Sequence, residues 1–86
     1  MDIFNNELLE INKAFKIYKA DLYIVGGFVR DFILFNKISN DVDMITPLSP
    51  LKIKDILKDF NIEKIDERFG YVKLSSGSFN IQINTF

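Results

Sequence analysis

The sequence predicts an α+β fold, a small mixed β-sheet with helices packed on one side. Three observations carry that expectation. Apolar residues recur at helical spacing in three separate stretches, short runs rich in Val, Ile, Tyr and Phe fall between and after them, and Gly or Pro punctuates several of the junctions. The order read from the chain is helix, strand, helix, strand, helix, then three strands.

The first helix is marked by Phe4, Leu8, Ile11, Phe15 and Tyr18, which fall on one face at intervals of three and four and are expected to point into the core. Leu22-Tyr23-Ile24-Val25 is β-prone and stops at Gly26-Gly27, after which Val29, Ile33 and Leu34 resume helical spacing. Residues 36–40 form a polar loop. Val42, Met44 and Ile45 then alternate with Asp41 and Asp43, the pattern of a short strand with acids on one face. Pro47 and Pro50 break the chain, and Leu51, Ile53, Ile56, Leu57 and Phe60 give a short third helix. Pro50 is expected in its first turn, where a missing N–H costs little, and Lys52, Lys54 and Lys58 on its solvated side. Residues 62–65, 71–74 and 79–86 read as strands, the last two joined by a hairpin at Ser75-Ser76-Gly77-Ser78.

Eighty-six residues allow one small domain and little room for a second core. With 48% hydrophobic and 27% charged residues and two prolines, the composition is that of a globular chain, and nine Phe and three Tyr predict an aromatic-rich core. Tyr23, Phe28, Phe69 and Tyr71 are assigned to that core rather than to base stacking. The sequence contains neither Cys nor His, which removes disulfides, thiolate metal sites, Ser-His and Cys-His nucleophiles and imidazole acid–base chemistry together. Any catalysis must rest on carboxylates. A formal net charge of −1 gives no overall attraction to nucleic acid. The N-terminus lacks a basic start and apolar run, and no apolar stretch reaches membrane-spanning length, so the expectation is a cytoplasmic protein with no membrane partner.

Two features carry candidate chemistry. Gly26-Gly27 stands where a strand turns into a helix, a place where backbone can approach a ligand and the helix N-terminus offers free N–H groups to phosphate; the same pair also fits a plain turn. Asp41 and Asp43, two apart on a strand, point to one face with Cα atoms roughly 6–7 Å apart. Such a pair can share Mg²⁺, which takes oxygen ligands and completes its shell with water and substrate phosphates; alternatively, both acids are solvated charges at a strand start.

Tyr23-Ile24-Val25-Gly26-Gly27-Phe28-Val29-Arg30-Asp31-Phe32-Ile33-Leu34, followed by Asp41-Val42-Asp43, resembles the head-domain signature of class II tRNA nucleotidyltransferases (CCA-adding enzymes) and bacterial poly(A) polymerases. Arg68-Phe69-Gly70-Tyr71-Val72-Lys73-Leu74 and Asn80-Ile81-Gln82-Ile83-Asn84-Thr85-Phe86 resemble the pair of strands that follows, so the resemblance spans nearly the whole chain. It implies the polymerase-beta-like nucleotidyltransferase fold and a single head domain over residues 1–86. It further implies Asp41 and Asp43 as catalytic metal ligands for Mg²⁺, Gly26 and Gly27 as backbone contacts to the triphosphate, and Arg30 and Asp31 as support for the nucleotide pocket. The implied reaction is attack by an RNA 3′-hydroxyl, that of a tRNA, on the α-phosphate of a nucleoside triphosphate (ATP or CTP), with release of pyrophosphate. Phosphoryl chemistry asks a protein mainly for positioning and charge stabilisation, which suits a site without His or Cys.

The chain departs from that family's pattern in three ways. Ile33-Leu34-Phe35 stands where the helix usually ends in Leu-Leu-Gly, so the turn is expected at Asn36. Ile81-Gln82-Ile83 has an amide where related enzymes often carry a further acid on a late strand. The base-selecting motif and the tRNA-binding body that family members carry downstream are not among these residues, so activity is expected to need further domains. A non-catalytic nucleotide-binding or protein-interaction module that keeps the fold is the alternative, motivated by Gln82. A dinucleotide-binding fragment fits poorly, because Gly26-Gly27 lacks the third glycine and the ribose-binding acid at the expected spacing.

Overall fold

The computed structural model describes residues 6–37 and 39–86. Their order is α1 (Asn6–Ile17), β1 (Tyr23–Val25), α2 (Gly27–Phe35), β2 (Asp41–Thr46), α3 (Pro50–Ile56), β3 (Asn61–Asp66), β4 (Tyr71–Ser76) and β5 (Phe79–Thr85). The strands form one sheet in the order β1-β2-β5-β4-β3. Only the central pair, β2 with β5, is parallel, and every other neighbour is antiparallel. The fold is α+β with a mixed sheet.

One face of the sheet makes the core. Val42, Met44 and Thr46 on β2, Val72 and Leu74 on β4, and Phe79, Ile81 and Ile83 on β5 are all buried, and the residues between them are not. That period of two is the pleat of a strand with a single dry side. Against this face pack Leu8, Ile11 and Phe15 of α1, Phe28 of α2, and Ile53 and Ile56 of α3, with Leu57 just after α3. The helices therefore lie on one side, and the other face of the sheet is open.

Local chemistry explains the element ends. Ser49 caps α3 by accepting a hydrogen bond from the Lys52 N–H at 3.3 Å, with Pro50 in the first turn as expected. Asn36 ends α2 in the left-handed conformation (φ 51°, ψ 41°), and its N–H reaches back to the Phe32 carbonyl at 3.0 Å. The amide thus makes the turn that Phe35 cannot. On β3 a bulge puts Ile62 opposite Leu74 and Lys64 opposite Lys73, with Glu63 as the extra residue. This is why Ile62 and Ile65, three apart in sequence, both lean on the core.

The aromatic-rich core is corrected. Phe15, Phe28 and Phe79 are buried, but Tyr23, Phe35, Phe69 and Phe86 are 50–75% exposed, and the core is mainly aliphatic. Tyr18 also leaves the predicted stripe: α1 stops at Ile17, Lys19 turns left-handed (φ 53°), and the Tyr18 ring faces outward under the Lys52 ammonium at 5.2 Å. Ile33 and Leu34 lie on α2 as expected but are exposed rather than packed. Phe4, assigned to the same stripe as Tyr18, lies outside the described residues.

No helix among the described residues is long and apolar enough to cross a membrane.

Candidate functional site

The open face of the sheet is polar and ordered by register. Asp41 on β2 is level with Asn80 on β5 and Ser75 on β4; Asp43 is level with Gln82, then Lys73, then Lys64 on β3. Each row runs from a carboxylate through an amide, and the second ends in two ammonium groups. An open groove of about 360 Å³ lies on this face, lined by the side chains of Asp41, Asp43, Glu63, Lys73, Asn80 and Gln82 over the backbone of Val42, Leu74 and Ile81.

Both aspartates are exposed, and Val42 between them is buried, so their carboxylates share the open side as strand alternation requires. Asn80 donates a long 3.5 Å hydrogen bond to Asp41 Oδ1, and Gln82 turns aside to donate to Asn84 Oδ1 at 2.9 Å. Lone pairs on both aspartates are left for another partner. Among the described residues no third His, Cys, Asp or Glu joins the pair in a ready-made cage. A cation held here would draw its other ligands from water and substrate oxygens, the habit of Mg²⁺, so the donor set fits that ion.

The β1–α2 turn comes up beside this pair. Val25 pairs with Asp43, and Gly26, the next residue, has its backbone so close that a Cβ built on it would lie 3.7 Å from Asp43 Oδ2. Gly26 adopts φ 74° and ψ −144°, a conformation open essentially to glycine. It precedes α2 without a side-chain cap, which leaves the first N–H groups of the helix free of side-chain partners beside the carboxylates. Arg30 folds back over Gly27, with Nη2 3.2 Å from where a Cβ would stand, and binds Asp31 Oδ1 at 3.3 Å through both Nε and Nη2.

The structure therefore brings Asp41, Asp43 and Gly26 together, with Gly27 and Arg30 at the next turn of chain. Asp31 is drawn away: it pairs with Arg30 and lines a separate shallow cavity with Phe35 and Lys37. Sequence reasoning passed over Lys73 and Glu63. The alternation of Tyr71, Lys73 and Ser75 could have flagged the lysine, but its alignment with Asp43 depends on two strand registers that no local pattern encodes.

A sequence profile of the Poly A polymerase head domain matches residues 22–86. Among solved structures, a Bacillus stearothermophilus CCA-adding enzyme in complex with CTP is similar over 100% of this chain and 21% of its own, with 29% identity and a TM-score of 0.80. A tRNA nucleotidyltransferase complexed with a primer tRNA and an incoming ATP analog is similar over 87% of this chain and 22% of its own, at 28% identity and a TM-score of 0.71. The antibiotic-resistance factor ANT(2'')-Ia shares the fold at 17% identity and a TM-score of 0.69, over 91% of this chain and 44% of its own. A comparison with functionally curated proteins finds no match. The chain spans about a fifth of the length of the CCA-adding enzyme and tRNA nucleotidyltransferase structures. The match to the head-domain profile begins just before β1 and takes in the glycine turn, the acid-bearing strand and the rest of the sheet, and on that ground the chain belongs to the head-domain family of tRNA nucleotidyltransferases and poly(A) polymerases.

Proposed function

We propose that this chain is a metal-dependent nucleotidyltransferase head domain. It would act in the cytoplasm with further domains to transfer a nucleoside monophosphate from ATP or CTP to the 3′-hydroxyl of an RNA, that of a tRNA, releasing pyrophosphate. The observation that carries this reading is the approach of the Gly26 backbone to the Asp43 carboxylate, which sets an uncapped helix start beside two carboxylates on one strand face. Support also comes from relatives solved with CTP and with a primer tRNA and an ATP analog.

In this reading Asp41 and Asp43 hold Mg²⁺, whose charge when bound offsets that on the phosphates. Gly26 and Gly27 let the backbone approach the triphosphate, and the first N–H groups of α2 donate to its oxygens with the positive end of the helix dipole behind them. Arg30 adds a guanidinium at the same turn, and Asp31 orients it through their shared hydrogen bonds. Each group is carried by the sheet or the helix, so positioning and electrostatics are what the chain contributes.

A non-catalytic nucleotide-binding or interaction module is favoured by one observation. Gln82, level with Asp43, is an amide that neither takes a proton nor adds negative charge to the site. Calorimetry with ATP and Mg²⁺ tests the binding shared by the nucleotide readings. Asp41→Asn and Asp43→Asn are each expected to weaken binding more than tenfold while the circular dichroism spectrum is unchanged, since both side chains are exposed. Equal binding by wild type and both variants would remove the assignment.

A further inference from the structure

On its β4–β3 side the groove is lined by Lys73 and Glu63, with Lys64 beside them in the row of Asp43, and the proposed nucleotide site uses none of the three. Lys73 lies two strands from Asp43, across Gln82, and Lys64 one strand further in the same row. With neighbouring strands about 4.8 Å apart, Lys73 stands about 10 Å from Asp43 at the backbone. Both ammonium groups gather on one ring: Lys64 Nζ is 5.6 Å and Lys73 Nζ 5.8 Å from the centroid of Tyr71, within cation–π range. Among the described residues neither lysine is ion-paired with a carboxylate; the pairs found are Lys13 with Glu10 and Arg30 with Asp31. The Tyr71 hydroxyl, and the Asp66 carboxylate more weakly, also hold the Lys64 ammonium above the usual lysine range.

We propose that Lys73 and Lys64, organised by Tyr71, form a subsite for the backbone phosphates of the acceptor RNA strand. The inference rests on the reading of Asp41, Asp43 and the Gly26-Gly27 turn as the nucleotide site, and geometry supplies the rest. In-line displacement puts the attacking hydroxyl and the departing pyrophosphate on opposite sides of the α-phosphorus. The glycine turn, where the triphosphate rests, lies on the β1 side of Asp43. The acceptor must then come from the other side, over β5 and β4. There it crosses the neutral amides Asn80, Gln82 and Asn84 and meets the two lysines. A chain of net charge −1 with two exposed aspartates repels RNA at the reacting centre, and a local pair of cations offsets that repulsion where the strand enters.

The test separates RNA phosphate from nucleotide phosphate. Binding of a labelled single-stranded RNA oligonucleotide is followed by fluorescence anisotropy in EDTA at several salt concentrations, and Mg²⁺-ATP binding by calorimetry. Lys73→Gln and Lys64→Gln are each expected to weaken RNA binding about two- to fivefold, the strength of an exposed ion pair. The slope of log affinity against log salt should fall by about 0.7 per lysine removed. Mg²⁺-ATP affinity should stay within about twofold of wild type in both variants. Asp43→Asn should do the reverse, losing Mg²⁺-ATP without weakening RNA binding. Wild type failing to bind RNA at the lowest salt, or the double variant binding as well as wild type, would overturn the subsite. ATP and RNA affinities falling together in the lysine variants would overturn it too, by assigning the lysines to the triphosphate. Wild type binding RNA through the lysines but not Mg²⁺-ATP would instead sink the nucleotide reading and leave the lysines as RNA contacts.

Discussion

Gly26 and Gly27 look interchangeable in the sequence, yet replacing each by alanine should have opposite effects on stability. Gly26 sits at φ 74° and ψ −144°, where a residue with a Cβ is held at a cost of about 1–3 kcal/mol. Space is not the obstacle, because the new methyl would meet Asp43 Oδ2 at an ordinary 3.7 Å. The whole penalty is backbone strain. Gly27 is the first residue of α2 and its φ is not positive. A Cβ there would stand 3.2 Å from Arg30 Nη2, the far end of an exposed side chain that can swing away. Alanine at either position narrows the unfolded ensemble, a gain of about 0.4–1 kcal/mol that both variants share but that only position 27 keeps free of strain. The two variants should therefore differ by the strain at position 26, about 1–3 kcal/mol. In a domain of this size about 1 kcal/mol moves Tm by roughly 4–8 °C, so the Gly26→Ala protein should melt about 4–24 °C below the Gly27→Ala protein. Scanning calorimetry, with urea unfolding as a second measure, reads this directly. Coincident melting of the two variants, or Gly27→Ala as the weaker, would refute the reasoning.

Two further substitutions probe the core edge and the groove. Thr46 is fully buried and its hydroxyl donates to the Asp21 carbonyl at 2.6 Å, so Thr46→Val should strand that carbonyl and cost about 1–3 kcal/mol in urea unfolding; a Val variant as stable as wild type would show the hydrogen bond to be worth nothing net. Gln82→Glu would place a third carboxylate level with Asp43, and Mg²⁺ should raise its Tm more than that of wild type. An equal gain in the two proteins would mean that Gln82 does not face the cation.

Much of this was readable from residue order. In the sequence itself Phe79, Ile81 and Ile83 alternate with Asn80, Gln82 and Asn84, which puts Gln82 on the face opposite the core, and the structure sets it level with Asp43. Asn36 as the helix stop and Pro50 in a first turn followed from backbone chemistry alone. What escaped depends on distant neighbours. Large rings usually seek the core, but Tyr23 lies on an edge strand with Phe86 as its ring neighbour, Phe69 lies in the β3–β4 turn, and Tyr71, expected in the core with them, lies on the open face of β4 under Lys64 and Lys73. The bulge at Glu63 breaks the very alternation that identifies a strand face. Asp31, adjacent to Arg30 in sequence, lines a different cavity and reaches the site only through its hydrogen bonds to the Arg30 guanidinium, because successive helix positions point about 100° apart.

The insertion of β5 between β2 and β4 has a consequence for how the groove comes into being. Asp41 and Asp43 are level with Asn80 and Gln82 across a separation of 39 residues, and among the described residues β2 has no other partner on that side. A growing chain can close the β1–β2 ladder and fold its helices early, but the acid strand stays open along one edge until β5 arrives to fill the middle of the sheet. Closing such a long loop is entropically slow, and the reward comes only with the final strand. The carboxylates and the row facing them thus come together only when β5 is in place, and a chain cut short of β5 would lose the floor of the groove along with the centre of its sheet.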